Sequence, residues 1–260
     1  MQIQEHRIIV QGIRVTYKTC GEGSPIVVLH GWGGSSDTWK QFLKECDTKN
    51  VQFIIPDLPG FGKSDDPPVS WTVSDYVHFV LDFFKYIHIQ KAVLIGHSFG
   101  GRIAIKLAVR YPEKVSALIL VASAGVKHTK SLKQRVGNFL AKYGRALFEL
   151  PVLNKFFTFS RKLLYKALRE QDYVATRGVM KDTFKNVIDE DLTDLLGTIA
   201  LPTLIVWGTN DSYVPVSDAE VIHSKIKGSM VELIQGGRHG LHRDVPKRLY
   251  RIIMHFVSRP

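Results

Sequence analysis

Six residues, Gly96-His97-Ser98-Phe99-Gly100-Gly101, lie where an apolar run meets an amphipathic segment. The run before them, Ala92-Val-Leu-Ile-Gly96, is apolar at consecutive positions, which is typical of a strand buried on both faces. Phe99–Arg110 is rich in Ala, Ile and Leu and ends before Pro112, which predicts a helix. Glycines lie two positions before and after Ser98, at Gly96 and Gly100, because a tight turn leaves little room for side chains there. The sequence therefore predicts a strand, a sharp turn that carries Ser98, and a helix.

The same strand pattern recurs along the chain and alternates with helical periodicity. The further apolar runs are Ile26-Val-Val-Leu-His30, Phe53-Ile-Ile-Pro-Asp57, Ala117-Leu-Ile-Leu-Val121, Thr203-Leu-Ile-Val-Trp207 and Met230–Ile234, and a hairpin is predicted from Ile8–Gln11 and Ile13–Lys18 around Gly12. Helices are predicted at Val73–Ile87, with Thr72 or Ser74 as the cap, at Ser217–Ile226 and at Pro246–Val257. This alternation predicts an α/β fold with a doubly wound, mostly parallel sheet.

The alternation stops between about Val126 and Gly197, where helical patterns such as Leu132–Leu147 and Phe156–Leu168 occur without a convincing strand. An excursion of this length between two core strands indicates an insertion. The predicted domains are therefore a core of residues 1–125 and 198–260 and a helical cap, or lid, of residues 126–197.

The composition is that of an ordinary globular protein, with 260 residues, 45% hydrophobic residues and two cysteines. It excludes disordered, collagen-like and disulfide-framework chains. No run of about 18 apolar residues predicts a transmembrane helix, and the first residues lack the layout of a signal peptide. We therefore expect a cytoplasmic protein with free cysteines.

The formal net charge of +11 is concentrated in one part of the chain, since 14 Lys and Arg accompany only four acids between Gly125 and Lys185. In the predicted cap these cations alternate with apolar residues, and such a helix can lie on an anionic membrane. The simpler interpretation, which we favour, is that the apolar face covers a cleft while the cations face water. No nucleic-acid-binding motif accompanies the positive charge.

The chemistry-bearing residues follow predicted strands. A serine such as Ser98, at a strand-to-helix turn, can act as a nucleophile when a base and an orienting carboxylate are nearby. Asp211 lies in Trp207-Gly-Thr-Asn-Asp-Ser-Tyr-Val-Pro215 and His239 in Gly236-Gly-Arg-His-Gly240, each in a loop after a strand. Ligands of open α/β sheets bind at this carboxyl edge. The order Ser, Asp, His predicts a catalytic triad.

With these motifs the sequence resembles the α/β-hydrolase superfamily, in its lid-bearing serine esterase and lipase-like branch. Further landmarks of the resemblance are His30-Gly-Trp-Gly-Gly34, Asp57-Leu-Pro-Gly-Phe-Gly-Lys-Ser64, Asp244 and Pro246. The resemblance implies an oxyanion hole formed by the backbone N–H groups of Trp32 and Phe99. His30, Gly31 and His97 adjoin this site as candidate substrate contacts, although packing is the simpler role of both histidines.

Two other residues compete for catalytic roles. His242 could replace His239 as the base, but its position relative to Asp244 and Pro246 fits the family less well. Asp57 is interpreted as a residue that orders its loop. The remaining histidines show no ligand spacing, so no metal is predicted.

The expected activity is cleavage of a small-molecule carboxylic ester through an acyl-enzyme, without a cofactor. Ser98 argues against dehalogenases and epoxide hydrolases, which carry aspartate at the turn. A carbon–carbon bond hydrolase, a haloperoxidase-like enzyme and a non-catalytic ligand-binding protein remain alternatives. The sequence does not predict the acyl chain length or the oligomeric state.

Overall fold

The computed structural model describes residues 2–46, 50–127 and 178–259. Within these residues, eight strands form a single sheet in the order β1-β2-β4-β3-β5-β6-β7-β8. The first two strands pair antiparallel with each other, and β2 pairs antiparallel with β4, whereas all other neighbours are parallel. The strands are β1 Gln4–Val10, β2 Ile13–Gly21, β3 Ser24–Leu29, β4 Val51–Pro56, β5 Ala92–His97, β6 Val115–Val121, β7 Thr203–Gly208 and β8 Met230–Ile234.

Helices cover both faces of the sheet. They are α1 Lys40–Leu43, α2 Val73–Tyr86, α3 Phe99–Arg110, α4 Val179–Asp189, α5 Ser217–Lys225, α6 Leu241–Asp244 and α7 Pro246–Val257, and short 3₁₀ turns lie at Ser36–Trp39, Pro112–Lys114 and Thr193–Thr198. One apolar core joins the sheet to α2, α3 and α5, and a second joins it to α1, α6 and α7. The predicted doubly wound, mostly parallel α/β fold is confirmed.

The central strands explain why the apolar runs do not alternate with polar residues. In β5, Leu94 belongs to the first core and Ile95 to the second, and Val27 and Val28 of β3 divide in the same way. Successive side chains of a strand point to opposite faces. Both faces are buried, so both positions are apolar.

The segment predicted as a cap falls mainly on residues 128–177, which lie outside the described residues. Residues 178–197 carry α4 and one 3₁₀ turn, and they belong to the same compact unit as the sheet. The Trp71 N–H donates to Thr183 Oγ1 at 2.9 Å and so ties α4 to the start of α2. The Leu192 N–H donates to the Gly125 carbonyl at 3.0 Å, so the segment after α4 lies beside the loop that follows β6.

The carboxyl ends of the parallel strands all lie at one edge of the sheet, and the loops that follow them carry His30, Ser98, Asp211 and His239. Among the described residues, no helix has the length and apolarity needed to span a membrane.

Candidate active site

Ser98 occupies a strained backbone conformation between β5 and α3, with φ +51° and ψ −115°. A positive φ is uncommon for a residue with a side chain, so the surrounding structure must hold it in place. The Ser98 N–H donates to the Val121 carbonyl at 3.3 Å, and the Ser98 carbonyl accepts from the Ala124 N–H at 3.0 Å. The end of β6 therefore clamps the turn on both sides of the serine.

The turn also requires a very close approach between α3 and β3. A Cβ atom added at Gly100 would lie 2.0 Å from the Leu29 carbonyl oxygen, which no real Cβ tolerates. Glycine at position 100 therefore lets the helix begin directly over the neighbouring strand. Ser98 stands at the N-terminal end of α3, where unpaired N–H groups favour negative charge.

Asp211 and His239 form a close pair at the ends of β7 and β8. His239 Nδ1 and Asp211 Oδ2 are 2.7 Å apart, and the Asp211 side chain is fully buried. The other carboxylate oxygen accepts from the N–H groups of Tyr213 at 2.7 Å and Val214 at 2.9 Å. The carboxylate is thus fixed by the turn that contains it and accepts a hydrogen bond from His239 Nδ1–H, which leaves Nε2 of the imidazole free to accept a proton.

The side chain of His97 connects the serine turn to the His239 loop. Its Nε2–H donates to the His239 carbonyl at 3.0 Å, and the two imidazole rings lie 4.8 Å apart. A Cβ atom added at Gly31 would lie 2.9 Å from His97 Nδ1 and 3.2 Å from Ser98 Cβ, so the Gly31 loop adjoins both residues. Among the described residues, the hydrogen bonds of His239 go to Asp211 and His97, and none joins its ring to Ser98.

The two N–H groups predicted as the oxyanion hole belong to neighbouring loops. The Phe99 N–H is the first of α3 and has no acceptor within its own helix. The Trp32 ring packs edge-on against the Phe99 ring at 5.3 Å, and the short distance from a Cβ at Gly31 to Ser98 Cβ shows that the two loops adjoin. The rings of Phe61 and Phe184 complete an aromatic cluster around Trp32, each 4.9 Å away.

His30 and Asp57 hold the loop that contains Trp32. The buried His30 ring donates from Nδ1 to the Gly31 carbonyl at 2.8 Å and accepts the Leu58 N–H at Nε2 at 3.0 Å. Burial lowers the pKa of His30. Asp57 accepts the N–H groups of Ser36 at 2.6 Å and Lys63 at 2.8 Å, which agrees with its predicted loop-ordering role.

His97, a predicted substrate contact, and His242, the competing base, are both buried among protein groups. Burial, with further effects from His242 and His239, lowers the pKa of His97 well below its ordinary value. The ring of His242 stacks on Trp39 at 4.4 Å, and burial lowers the pKa of His242 to about 3. Since the carboxylate of Asp211 pairs with His239, the geometry favours His239 over His242 as the base. Protein groups already satisfy hydrogen bonds of His30 and His97, so their predicted substrate contacts stay predictions.

Tyr213 is the site residue that sequence reasoning missed. Its ring stacks on the His239 ring at 5.1 Å with an angle of 28° between the planes. Its place in the turn after Asp211 was visible in the sequence, but no motif marks it as a partner of the imidazole. Within the described part of the chain, no group of three or more metal-ligating side chains is gathered.

The family model of the alpha/beta hydrolase fold matches residues 24–244. The chain belongs to this family. The 2-hydroxymuconate semialdehyde hydrolase of Pseudomonas sp. strain CF600 is 32% identical over 96% of the chain and 93% of its own length. The 2-hydroxy-6-oxononadienedioate/2-hydroxy-6-oxononatrienedioate hydrolase of Escherichia coli K12 is 26% identical over 95% of the chain and 92% of its own length.

A solved structure of similar fold is that of a thermophilic esterase from Thermogutta terrifontis, with a TM-score of 0.73 and 24% identity over 98% of both chains. The α/β-hydrolase family and fold predicted from the sequence are therefore confirmed, and the family relatives support hydrolase activity on a small molecule.

Proposed function

We propose that this alpha/beta hydrolase is a serine hydrolase that cleaves small-molecule carboxylic esters through an acyl-enzyme. The observation that carries the proposal is the 2.7 Å contact between His239 Nδ1 and the buried carboxylate of Asp211, beside a serine held at φ +51°. A buried carboxylate fixed by two backbone N–H groups and aimed at one imidazole nitrogen is the arrangement that a general base requires.

In the proposed reaction, His239 removes the hydroxyl proton of Ser98 while Ser98 Oγ forms a bond to the acyl carbon. The carbonyl oxygen becomes an oxyanion that the N–H groups of Trp32 and Phe99 stabilise, and each such donor is typically worth about 3–4 kcal/mol. The ester bond then breaks, and His239 protonates the leaving alcohol. Water, deprotonated by His239, attacks the acyl-enzyme and releases the carboxylic acid and Ser98. The residues of the chain suffice for these steps.

The aromatic cluster of Trp32, Phe61, Phe99 and Phe184 lies beside the proposed oxyanion hole. Trp32 is only partly buried, whereas the other three residues of the cluster are buried, so a ligand would reach the cluster at Trp32. Apolar rings favour burial of an apolar acyl group. This cluster supports an ester with an apolar acyl part as the substrate.

A carbon–carbon bond hydrolase is the second candidate, and the relative that is 32% identical favours it. The same serine attack on a ketone breaks a carbon–carbon bond only if the departing carbon is a stabilised carbanion that can be protonated. A β-diketone provides such a leaving group, whereas a simple ester provides an alkoxide. Rates on both kinds of substrate therefore separate the two candidates.

The test compares the wild type with Ser98→Ala on p-nitrophenyl esters from acetate to palmitate. We expect Ser98→Ala to reduce kcat by about 10⁶-fold, in effect to the background rate, with the fold retained. Ser224→Ala, which changes an exposed serine on α5, is the matched control and keeps full activity. Undiminished ester hydrolysis in Ser98→Ala would contradict the proposal.

Two further results would each favour a different function for this protein. A wild type that hydrolyses no ester but cleaves a β-diketone, with Ser98 required, would favour the carbon–carbon bond hydrolase. A wild type that turns over neither substrate and is not labelled at Ser98 by a serine-directed phosphonate would favour a non-catalytic ligand-binding protein.

The cytoplasmic location and the membrane contact of the basic cap stay predictions of the sequence. The cap residues on which the membrane idea depends lie in residues 128–177, outside the described part of the chain.

A further inference from the structure

Tyr213 presents an exposed aromatic ring to the proposed catalytic base. Its side chain is among the most exposed large apolar groups of the described residues, with 59% of the residue surface in water. Nevertheless its ring lies nearly parallel to the His239 ring, with the centroids 5.1 Å apart. Because the Tyr213 ring is exposed and yet stacks on the imidazole of the proposed base, packing of the core does not explain its position.

The turn beneath Tyr213 gives this contact a fixed geometry. The N–H groups of Tyr213 and Val214 both donate to Asp211 Oδ1, and Trp207 Nε1 donates to the Val214 carbonyl at 3.1 Å. The residue that orients the His239 ring therefore also fixes the backbone of Tyr213. The ring of Tyr213 needs only its own two side-chain torsions to reach the imidazole.

Three residues contact His239 in different ways. Nδ1 contacts Asp211, the carbonyl of His239 accepts from His97, and the His97 ring lies 4.8 Å away at an angle of 45°. Tyr213 stacks on the ring at 28°. Tyr213 thus covers a face of the imidazole that the proton transfers at Nε2 do not use.

The charge that the His239 imidazole gains during the reaction also involves Tyr213. During the attack of Ser98 the imidazole becomes a cation, and an aromatic face within about 6 Å attracts a cation. The other groups near this ring are the Asp211 carboxylate, His97, His242 and, beside those two histidines, the Arg243 guanidinium. Among the neighbours of this ring that the structure describes, the Asp211 carboxylate and the Tyr213 ring are the groups that attract a cation.

We propose that Tyr213 is a positioning residue for the base: its ring fixes the plane of the His239 imidazole and stabilises the imidazolium formed in the transition state. This inference rests on the proposed function, because it requires His239 to act as the base. It assigns a role to the face of the tyrosine ring and none to its hydroxyl group.

The experiment compares Tyr213→Phe, Tyr213→Trp and Tyr213→Leu on an activated ester that the wild type turns over. Phe and Trp keep an aromatic face, whereas Leu is apolar without one. We expect Tyr213→Leu to lower kcat about two- to fivefold with KM nearly unchanged, and Phe and Trp to retain the wild-type kcat. Tyr86→Leu, at an equally exposed tyrosine of α2, is the matched control and keeps full activity.

A second measurement separates this inference from the proposed function. A fluorophosphonate forms a bond between Ser98 Oγ and phosphorus and loses fluoride, while His239 takes the serine proton, so its labelling rate reports the base without ester turnover. We expect the fluorophosphonate to label Tyr213→Leu more slowly than the wild type, and to label Tyr213→Phe and Tyr213→Trp at the wild-type rate. If the wild type shows neither turnover nor labelling, the proposed function fails and this inference fails with it.

Two results would overturn the role of Tyr213 while leaving the proposed function intact. One is an active Tyr213→Leu enzyme with wild-type kcat and labelling rate. The other is a Tyr213→Phe enzyme as slow as Tyr213→Leu, which would assign the effect to the hydroxyl group.

Discussion

The carboxylate of Asp211 accepts three hydrogen bonds although its side chain is fully buried. Two come from the backbone of its own turn and one from His239. A buried carboxylate left without such partners would carry a large desolvation cost. The same contacts that make burial tolerable therefore also determine which nitrogen of His239 carries the proton.

Asp211→Asn tests this dependence. The amide oxygen can still accept the N–H groups of Tyr213 and Val214, so the turn is kept, but the amide NH₂ then faces His239 Nδ1 and favours the wrong tautomer. We expect kcat to fall by about 10⁴-fold with the fold intact, as steady-state kinetics and circular dichroism would show. Asp244→Asn, at a partly exposed carboxylate paired with Arg238, is the control and keeps its activity within twofold. An Asp211→Asn enzyme with near wild-type kcat would contradict the role given to Asp211.

The sequence allowed the Ser98, Asp211 and His239 set to be predicted because each follows a recognisable strand and their order is characteristic. The geometry supports the set, whose catalytic role stays a prediction. Tyr213 could not be found in this way, because ring stacking depends on how two separate loops meet. The hydrogen bond from His97 to the His239 carbonyl is equally invisible, since 142 positions separate the two residues.

The turn between β5 and α3 has little spatial freedom. Its serine has a positive φ, and α3 begins in contact with the backbone of β3. A side chain at Gly100 would displace either α3 or β3, and both elements are packed tightly against their neighbours. The packing of β5, the turn and α3 therefore keeps Ser98 in its strained backbone conformation.

We expect Gly100→Ala to lower the free energy of unfolding by about 3 kcal/mol or more, because its Cβ would lie 2.0 Å from the Leu29 carbonyl oxygen. Gly33→Ala is the matched control: a Cβ there meets nothing within 4 Å, and only the positive φ of +68° is unfavourable. That substitution should cost about 1–2 kcal/mol. Urea unfolding measures the free energy of unfolding of both variants. Equal losses of stability in the two would show that the close approach to the Leu29 carbonyl is not the cause.

Long periodic elements were predicted well, and short ones were not. The bounds of α3 and α7 agree with the prediction, and Thr72 forms a capping box with Asp75. The 3₁₀ turn Ser36–Trp39 and the four-residue α1 were missed because they are too short to show a period. Tertiary contacts determine them: Asp57 holds the Ser36 N–H, and Trp39 stacks on His242.

For the molecule as a whole, three buried histidines make stability depend on pH. Burial lowers the pKa values of His30, His97 and His242 in the folded state. In the unfolded chain each ring would take up a proton near pH 6.5. The unfolded state therefore binds more protons than the folded state below that pH. Stability is fully present above about pH 6.5 and is lost as the pH falls toward the folded pKa values.

His242→Phe should reduce this acid sensitivity, since phenylalanine can keep the stacking on Trp39 and has no proton to bind. The pKa of His242 is about 3 in the fold, so the relevant window lies between about pH 6.5 and pH 3. We expect the slope of unfolding free energy against pH to decrease by up to about 1.4 kcal/mol per pH unit in that window. Urea unfolding from pH 7 to pH 4.5 measures it. The exposed His255→Gln serves as control, and an equal change there would refute the explanation.

The hydrogen bond between Gly125 and Leu192 has a consequence for how this chain can vary in length. A polypeptide that exits and re-enters a scaffold at neighbouring points has no distance to span. Closing a longer loop costs only slowly increasing entropy, about 0.6 kcal/mol for each doubling. Within the stretch between Gly125 and Leu192, α4 packs on the core and contacts it through Thr183 and Phe184. Shorter or longer inserts can therefore replace residues 128–177 while the sheet and α4 are kept.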